Sequence, residues 1–217
     1  GNGFAGGISG FPSVYVLGQH NNELIAGGSF TTAGGNTANG IARLTGTGWQ
    51  PLGGGVTGAN SILVRSLLSH KGSLYVGGSF GSAGGNTSAV CIARWDGSTW
   101  HPVGANASGW VTALGTFNGD LVASGITPPD GSGVTVGRWD GTSWHALGAS
   151  PTSTSGIWSL VEFQGQLFCS GNFTLNGVAN TTYKLRVLVP EPYGTATVTV
   201  SCGAATLSND ARVLTIE

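Results

Sequence analysis

The sequence predicts an all-β fold: a β-propeller of four blades, with four antiparallel strands in each, followed by a short β-rich C-terminal segment. Three observations carry this prediction. Short bursts of Val, Ile, Thr, Phe and Trp alternate with Gly-rich clusters, and no long helical periodicity interrupts them. A Gly-centred motif recurs four times at near-constant spacing. The strand and turn markers around it keep one order in every copy. Four short strands per repeat are the unit of a propeller, and such a unit, apolar on both faces, is stable only between neighbours.

The motif reads Ala26-Gly27-Gly28-Ser29-Phe30 and Val76-Gly77-Gly78-Ser79-Phe80, then weakens to Ala123-Ser124-Gly125-Ile126-Thr127 and Cys169-Ser170-Gly171-Asn172-Phe173. Its second Gly falls at 28, 78, 125 and 171, giving spacings of 50, 47 and 46. Upstream, two leucines keep a constant gap: Leu17/Leu24, Leu67/Leu74, Leu114/Leu121 and Leu160/Leu167. A β-branched residue precedes each pair: Val14, Val64, Val111 and Ile157. Downstream come Arg43, Arg94, Arg138 and Arg186, the first three followed by Trp49, Trp100 and Trp144.

In the third copy the four expected strands are Val111 to Leu114, Leu121 to Ser124, Val136 to Trp139 and Ser143 to Leu147. Asp140-Gly141 is the tight-turn signal between the last two. The small residues Val16, Ser66, Ala113 and Ser159 suit an innermost strand near a crowded axis. The Gly pair lets a neighbouring backbone or ring approach closely. Blades are placed at about 14–63, 64–110, 111–156 and 157–189, so that 1–189 is the propeller and 190–217 a C-terminal strand segment.

These residues resemble kelch-type repeats. The run Leu-Tyr-Val-Gly-Gly-Ser-Phe, Ala-Gly-Gly-Asn, Ile-Ala-Arg-Trp-Asp-Gly and Trp is more closely similar to repeats of fungal cortical polarity-marker proteins and of uncharacterised bacterial surface proteins. The resemblance spans roughly residues 10–188 and departs from kelch in its short Trp-Asp-Gly hairpin. It implies a secreted or cell-surface propeller.

Both ends are out of phase with the repeat. Gly1-Asn2-Gly3-Phe4-Ala5-Gly6-Gly7 matches the stretch Leu52-Gly53-Gly54-Gly55-Val56. The fourth copy loses its Trp-Asp-Gly hairpin, and strand-like runs follow at Thr195 to Cys202 and Ala211 to Ile216, resembling the last strands of an immunoglobulin-like module. A C-terminal strand either closes the fourth blade within the chain or completes a sheet edge in a neighbouring copy. The chain has no Met, as expected of a mature processed chain or a piece of a longer one.

Composition narrows function. Charged residues are 8% of the chain and the net charge is −1, so no basic face for nucleic acid is expected. No apolar run reaches the roughly 20 residues needed to cross a bilayer, so no membrane insertion is expected. The seven Trp and eight Phe supply the apolar area that such a Gly-rich chain needs to form a core. Asp96 and Asp140 read as turn residues, and the repeated arginines as partners of carboxylates or Trp rings. His101 and His145 share one repeat position that does not converge on a metal, while His20 and His70 read as surface turn residues. No cofactor and no catalytic group are expected.

Cys91 reads as an inert core thiol, and Cys169 with Cys202 as the candidate disulfide. Sequons occur at Asn86, Asn106, Asn172 and Asn180. The Gly-rich loops place Asn36, Asn39, Asn86, Asp130 and Asn180 on one propeller face with Trp110 nearby. These are the candidate ligand-binding residues, with turn chemistry as their other reading. The expected function is a non-enzymatic extracellular or cell-surface structural and interaction module. Its partners are other copies of itself, through exchanged terminal strands, or surface glycans and proteins. A carbohydrate-binding propeller lectin is the alternative.

Overall fold

A computed structural model describes residues 3–7, 10–58, 62–104, 110–127, 135–147, 157–163, 165–171, 185–188, 206–207 and 213–215. The chain is all-β, and no helix occurs among the described residues. It divides into two compact units, Gly1–Val111 and Thr112–Glu217.

The first unit holds two four-stranded antiparallel sheets, one per repeat. The first runs Ser13–His20, Glu23–Ser29, Ile41–Thr45 and Gly48–Pro51, in that order across the sheet. The second repeats this with Leu63–His70, Ser73–Ser79, Ile92–Trp95 and Trp100–Pro102. In the second unit the third sheet follows the same plan with Leu114–Phe117, Asp120–Ile126, Thr135–Trp139 and Trp144–Ala146.

Hairpin chemistry sets where the first two strands of each sheet meet. Asn21 and Asn22, Lys71 and Gly72, and Asn118 and Gly119 all have positive φ, as both central residues of a type I′ turn require. In the third repeat this turn moves the first strand to Leu114–Phe117, later than the expected Val111 to Leu114. Asn118-Gly119 takes the two turn positions, and Asp120 becomes the first residue of the next strand, facing Phe117.

The Gly pair has a double explanation. Val14 pairs with Gly28 and Val16 with Gly27, leaving Tyr15 as the extra residue of a bulge. Arg65 is the extra residue in the second sheet and Trp158 in the fourth. A Cβ on Gly28 would lie 2.0 Å from the Ser13 carbonyl oxygen, and one on Gly78 would lie 1.9 Å from that of Leu63. The first Gly of the pair instead meets a side chain, Val64 Cγ1, 2.4 Å from a Cβ on Gly27.

Within each unit one sheet presents small residues to the leucines of the next. A Cβ on Gly18 would lie 3.2 Å from Leu67 Cβ, and one on Gly115 would lie 3.1 Å from Leu160 Cβ. The core between the first two sheets contains Ile25, Ile41, Val56, Val64, Leu74, Val76 and Trp100. The core between the third and fourth contains Phe117, Val122, Val136, Ile157, Leu160, Leu167 and Cys169. Each such buried aliphatic side chain contributes roughly 1.5–3 kcal/mol.

Two linker segments pair with loop strands as well. Val56–Thr57 pairs with Ser82–Ala83, while the Val56 N–H donates back to the Asn39 carbonyl at 2.9 Å. Phe4–Ala5 pairs with Thr32–Ala33 in the same register, so Phe4 takes the place of Val56 in the preceding linker position.

The fourth sheet departs from the expected all-antiparallel plan. Ile157–Phe163 and Gln166–Gly171 are antiparallel, but Leu185–Leu188 runs parallel to Gln166–Gly171. In the second and third sheets the Trp-Asp-Gly hairpin joins the third and fourth strands, so its loss here leaves the place beside Leu185–Leu188 to Val213–Thr215. The stretch from Gly171 to Leu185 is long enough for the crossover of about a dozen residues that a parallel pair needs. Val213–Thr215, inside the expected run Ala211 to Ile216, pairs antiparallel with Leu185–Leu188, and Thr206–Leu207 follows it at the edge. The other expected run, Thr195 to Cys202, lies outside the described residues.

Cys91 is half-buried, not a core thiol. It has φ +58° in the slot that Gly40, φ +68°, fills in the first repeat. Its carbonyl accepts from the Gly78 N–H as that of Gly40 accepts from Gly28. A left-handed conformation costs a residue with a Cβ roughly 1–2 kcal/mol. Cys91→Gly is therefore expected to stabilise the chain by about 1 kcal/mol, read as a higher urea midpoint at unchanged slope. A lower midpoint would show that the side chain contributes more than the backbone loses.

Candidate functional site

The Trp-Asp-Gly hairpins are built by their aspartates. Asp96 Oδ1 accepts from the backbone N–H groups of Ser98 and Thr99, both at 2.8 Å, and Oδ2 from His101 Nε2 at 2.6 Å. Asp140 makes the same set with Thr142, Ser143 and His145. The Thr99 N–H, then His101 and Ser98, hold the Asp96 carboxyl far below the usual carboxylate range. The N–H groups of Ser143 and Thr142, then His145, do the same for Asp140. These carboxylates are spent on turn geometry, and each His is spent on its own Asp.

The repeated arginines divide. Arg43 pairs with Glu23 at 3.4 Å and Arg138 with Asp120 at 2.7 Å, bridging neighbouring strands at the surface. Such exposed pairs contribute about 0–1 kcal/mol. Among the described residues no group of three His, Cys, Asp or Glu could hold a metal ion.

Asn36 and Asn86 occupy equivalent loop positions and do equivalent work. Asn36 Nδ2 donates to the Trp49 carbonyl at 3.2 Å, and Asn86 Nδ2 donates to that of Trp100 at 3.4 Å. Asn86 Oδ1 also accepts from the Ser88 N–H at 3.0 Å. Asn39 acts through its backbone, as described above. Asp130 and Asn180 lie outside the described residues, as do the sequons at Asn106 and Asn172.

Trp110 does join a cluster. The Arg65 guanidinium stacks between two rings, its Cζ 5.0 Å from the Tyr15 centroid and 5.8 Å from that of Trp110. Tyr15 and Trp110 are 48% and 60% exposed, so both rings remain open to a ligand. Arg65 Nε is buried with no hydrogen-bond partner among the described residues. Simple strand alternation does not reveal Tyr15 and Arg65 as neighbours. Both are bulge residues, and a bulge resets which face each following residue takes. The signal that finds them is their shared place one residue after Val14 and Val64.

His20 is buried, contrary to its reading as a surface residue. It is the last residue of its strand and points at the second sheet, where Nδ1 meets Ser69 Oγ at 2.9 Å. Nε2 has no partner among the described residues. Burial lowers its pKa below the ordinary value of 6.5, with Glu23 opposing. The unfolded chain therefore takes up this proton first as pH falls. The neutral ring's contribution is complete above the unfolded pKa of about 6.5 and declines as pH drops below it. The urea midpoint is expected to fall from pH 7.5 to pH 5.5, and His20→Gln to flatten that fall. An unchanged slope in the variant would remove His20 from the account.

Cys169 has no disulfide partner among the described residues. It packs with Leu160, Leu167 and Ile157 in the core, and burial pushes its pKa up to about 12. Cys202, its expected mate, lies outside the described residues.

No known family model matches the chain, and no curated protein matches it.

Proposed function

We propose that the four sheets are blades of one β-propeller and that the chain is a non-enzymatic structural and interaction module of the cell surface or extracellular space. One observation carries the ring. Val14 and Leu24 on the outer face of the first sheet are 40% and 39% exposed, whereas their counterparts Val64 and Leu74 are 0% and 1% exposed against the preceding sheet. Leu17 is exposed in the same way. At the other end of the series, Val161 and Phe163 on the fourth sheet are exposed. They stand where Gly18 and His20 stand in the first sheet, on the face that covers a following repeat. Each open face thus has the chemistry of a repeat contact, and ring closure gives each the other.

The test is a cross-link between Leu17→Cys and Val161→Cys, in a background with Cys91→Ser. A cross-linked monomer is the expected product. Cross-linked dimers and higher species would instead support assembly between copies, the form in which exchanged terminal strands build an array. No adduct of either kind would reject the contact. The pairing of Val213–Thr215 within its own sheet favours closure within the chain.

A second reading, carbohydrate binding, is favoured by the open aromatic rings of Tyr15 and Trp110 on either side of Arg65. A flat aromatic face attracts the C–H groups of a sugar ring, whose partial positive charge meets the negative face of the π-system. A glycan array showing no hits with the intact chain would reject it.

A further inference from the structure

Arg65 differs from Arg43 and Arg138 in one respect: they have carboxylate partners, and Arg65 has none among the described residues. Among the described residues its charge meets only the faces of Tyr15 and Trp110. A guanidinium presents five N–H donors in a rigid plane, a fork that matches a carboxylate. The two rings hold that plane in place, so a ligand orders little on binding. The surrounding chain, with Lys and Arg totalling 8 in 217 residues and a net charge of −1, supplies no diffuse basic field. A nucleic acid would need several phosphate contacts for useful affinity. One fixed cation flanked by open rings instead suits one carboxylate attached to a saturated ring.

Resting on the carbohydrate reading, we propose that Arg65, held between Tyr15 and Trp110, anchors the carboxylate of a uronic acid in an acidic polysaccharide, with Trp110 stacking on the sugar ring. The carboxylate would pair with the guanidinium's N–H groups in a charge-assisted, bidentate arrangement.

The test is titration of the full chain with oligogalacturonate, followed by Trp fluorescence and calorimetry. The same measurement is made with its methyl ester, a neutral cello-oligosaccharide and a sulfated heparin oligosaccharide. Saturable binding of the oligogalacturonate is expected. Esterification, Arg65→Lys and Trp110→Ala should each weaken it by about tenfold or more, the loss of one good charged pair or stacking contact. Arg43→Lys should leave it unchanged. Trp110 is exposed, so its variant reports on the site even if Arg65→Lys proves unstable. Equal affinity for acid and ester, or wild-type affinity in both site variants, would overturn the proposal. Trp110-dependent binding of only the neutral or sulfated sugar would overturn it while leaving carbohydrate binding standing. Binding of none of the four would overturn both.

Discussion

Trp100→Ala is expected to cost about 3–5 kcal/mol of folding free energy, the range for deleting a large buried aromatic. Trp100 is enclosed from several directions. Its ring lies 5.2 Å from that of Trp95. Its Nε1–H donates to the Gly53 carbonyl at 2.9 Å. A Cβ on Gly84 would come within 2.4 Å of its Cδ1, so the loop backbone rests on the ring. Alanine would leave a cavity beside the Val56 and Phe80 cluster and strand the Gly53 acceptor. Trp100→Phe keeps most of the packing and loses the hydrogen bond, so it should fall between the two. Urea unfolding, with the slope checked for constancy, decides. A loss under about 1 kcal/mol for the alanine variant would mean that the linker and loop collapse onto the gap, against the cavity account.

Gly28→Ala and Gly78→Ala should each cost about 2–4 kcal/mol, at or above the usual range for overpacking. The obstacle is backbone. The first strand's carbonyl stands 2.0 Å from the new Cβ at position 28 and 1.9 Å at 78, and relief means pulling the bulge apart. Gly27→Ala meets side chains rather than backbone, Val64 Cγ1 at 2.4 Å and Val16 Cγ1 at 2.8 Å, which can shift, so it should be milder by at least about 1 kcal/mol. Gly46→Ala has open space around it and should change little. If Gly27→Ala and Gly28→Ala proved equally harmful, the bulge would not be the reason for the second Gly.

Much of this packing is legible in the residues alone. The Gly pair, the leucine pair and the Trp pair each announce a contact that recurs. Local rules therefore located three sheets and the turns within them: Asn118-Gly119 and Asp140-Gly141 dictate hairpins whatever surrounds them. The fourth sheet is less legible because, without the Trp-Asp-Gly hairpin, its fourth place is filled by Val213–Thr215, remote in sequence. The parallel pairing of Leu185–Leu188 with Gln166–Gly171 has no local turn signal to announce it. The Arg65 cluster was hidden for another reason. A bulge adds one residue to one strand and so shifts the parity on which any prediction of facing side chains depends. Of the candidate residues, Trp110 belongs to that cluster. Asn36, Asn39 and Asn86 are tied to the scaffold by bonds that any Gly-rich loop requires, and an Asn side chain suits either use. Place along a strand says nothing of the positive φ at Cys91 or of the neighbour that covers His20 at a strand's end.

The paired linkers have a further consequence for how the chain comes apart. Each of Phe4–Ala5 and Val56–Thr57 is zipped onto the repeat that follows it, and Val56 also grips the loop behind it through Asn39. A repeat's free energy is thus lodged partly in its neighbour. Melting of the Gly1–Val111 unit should accordingly be a single event and not one repeat at a time, and an isolated 40-to-50-residue piece, with its clasp cut, would hold little structure of its own.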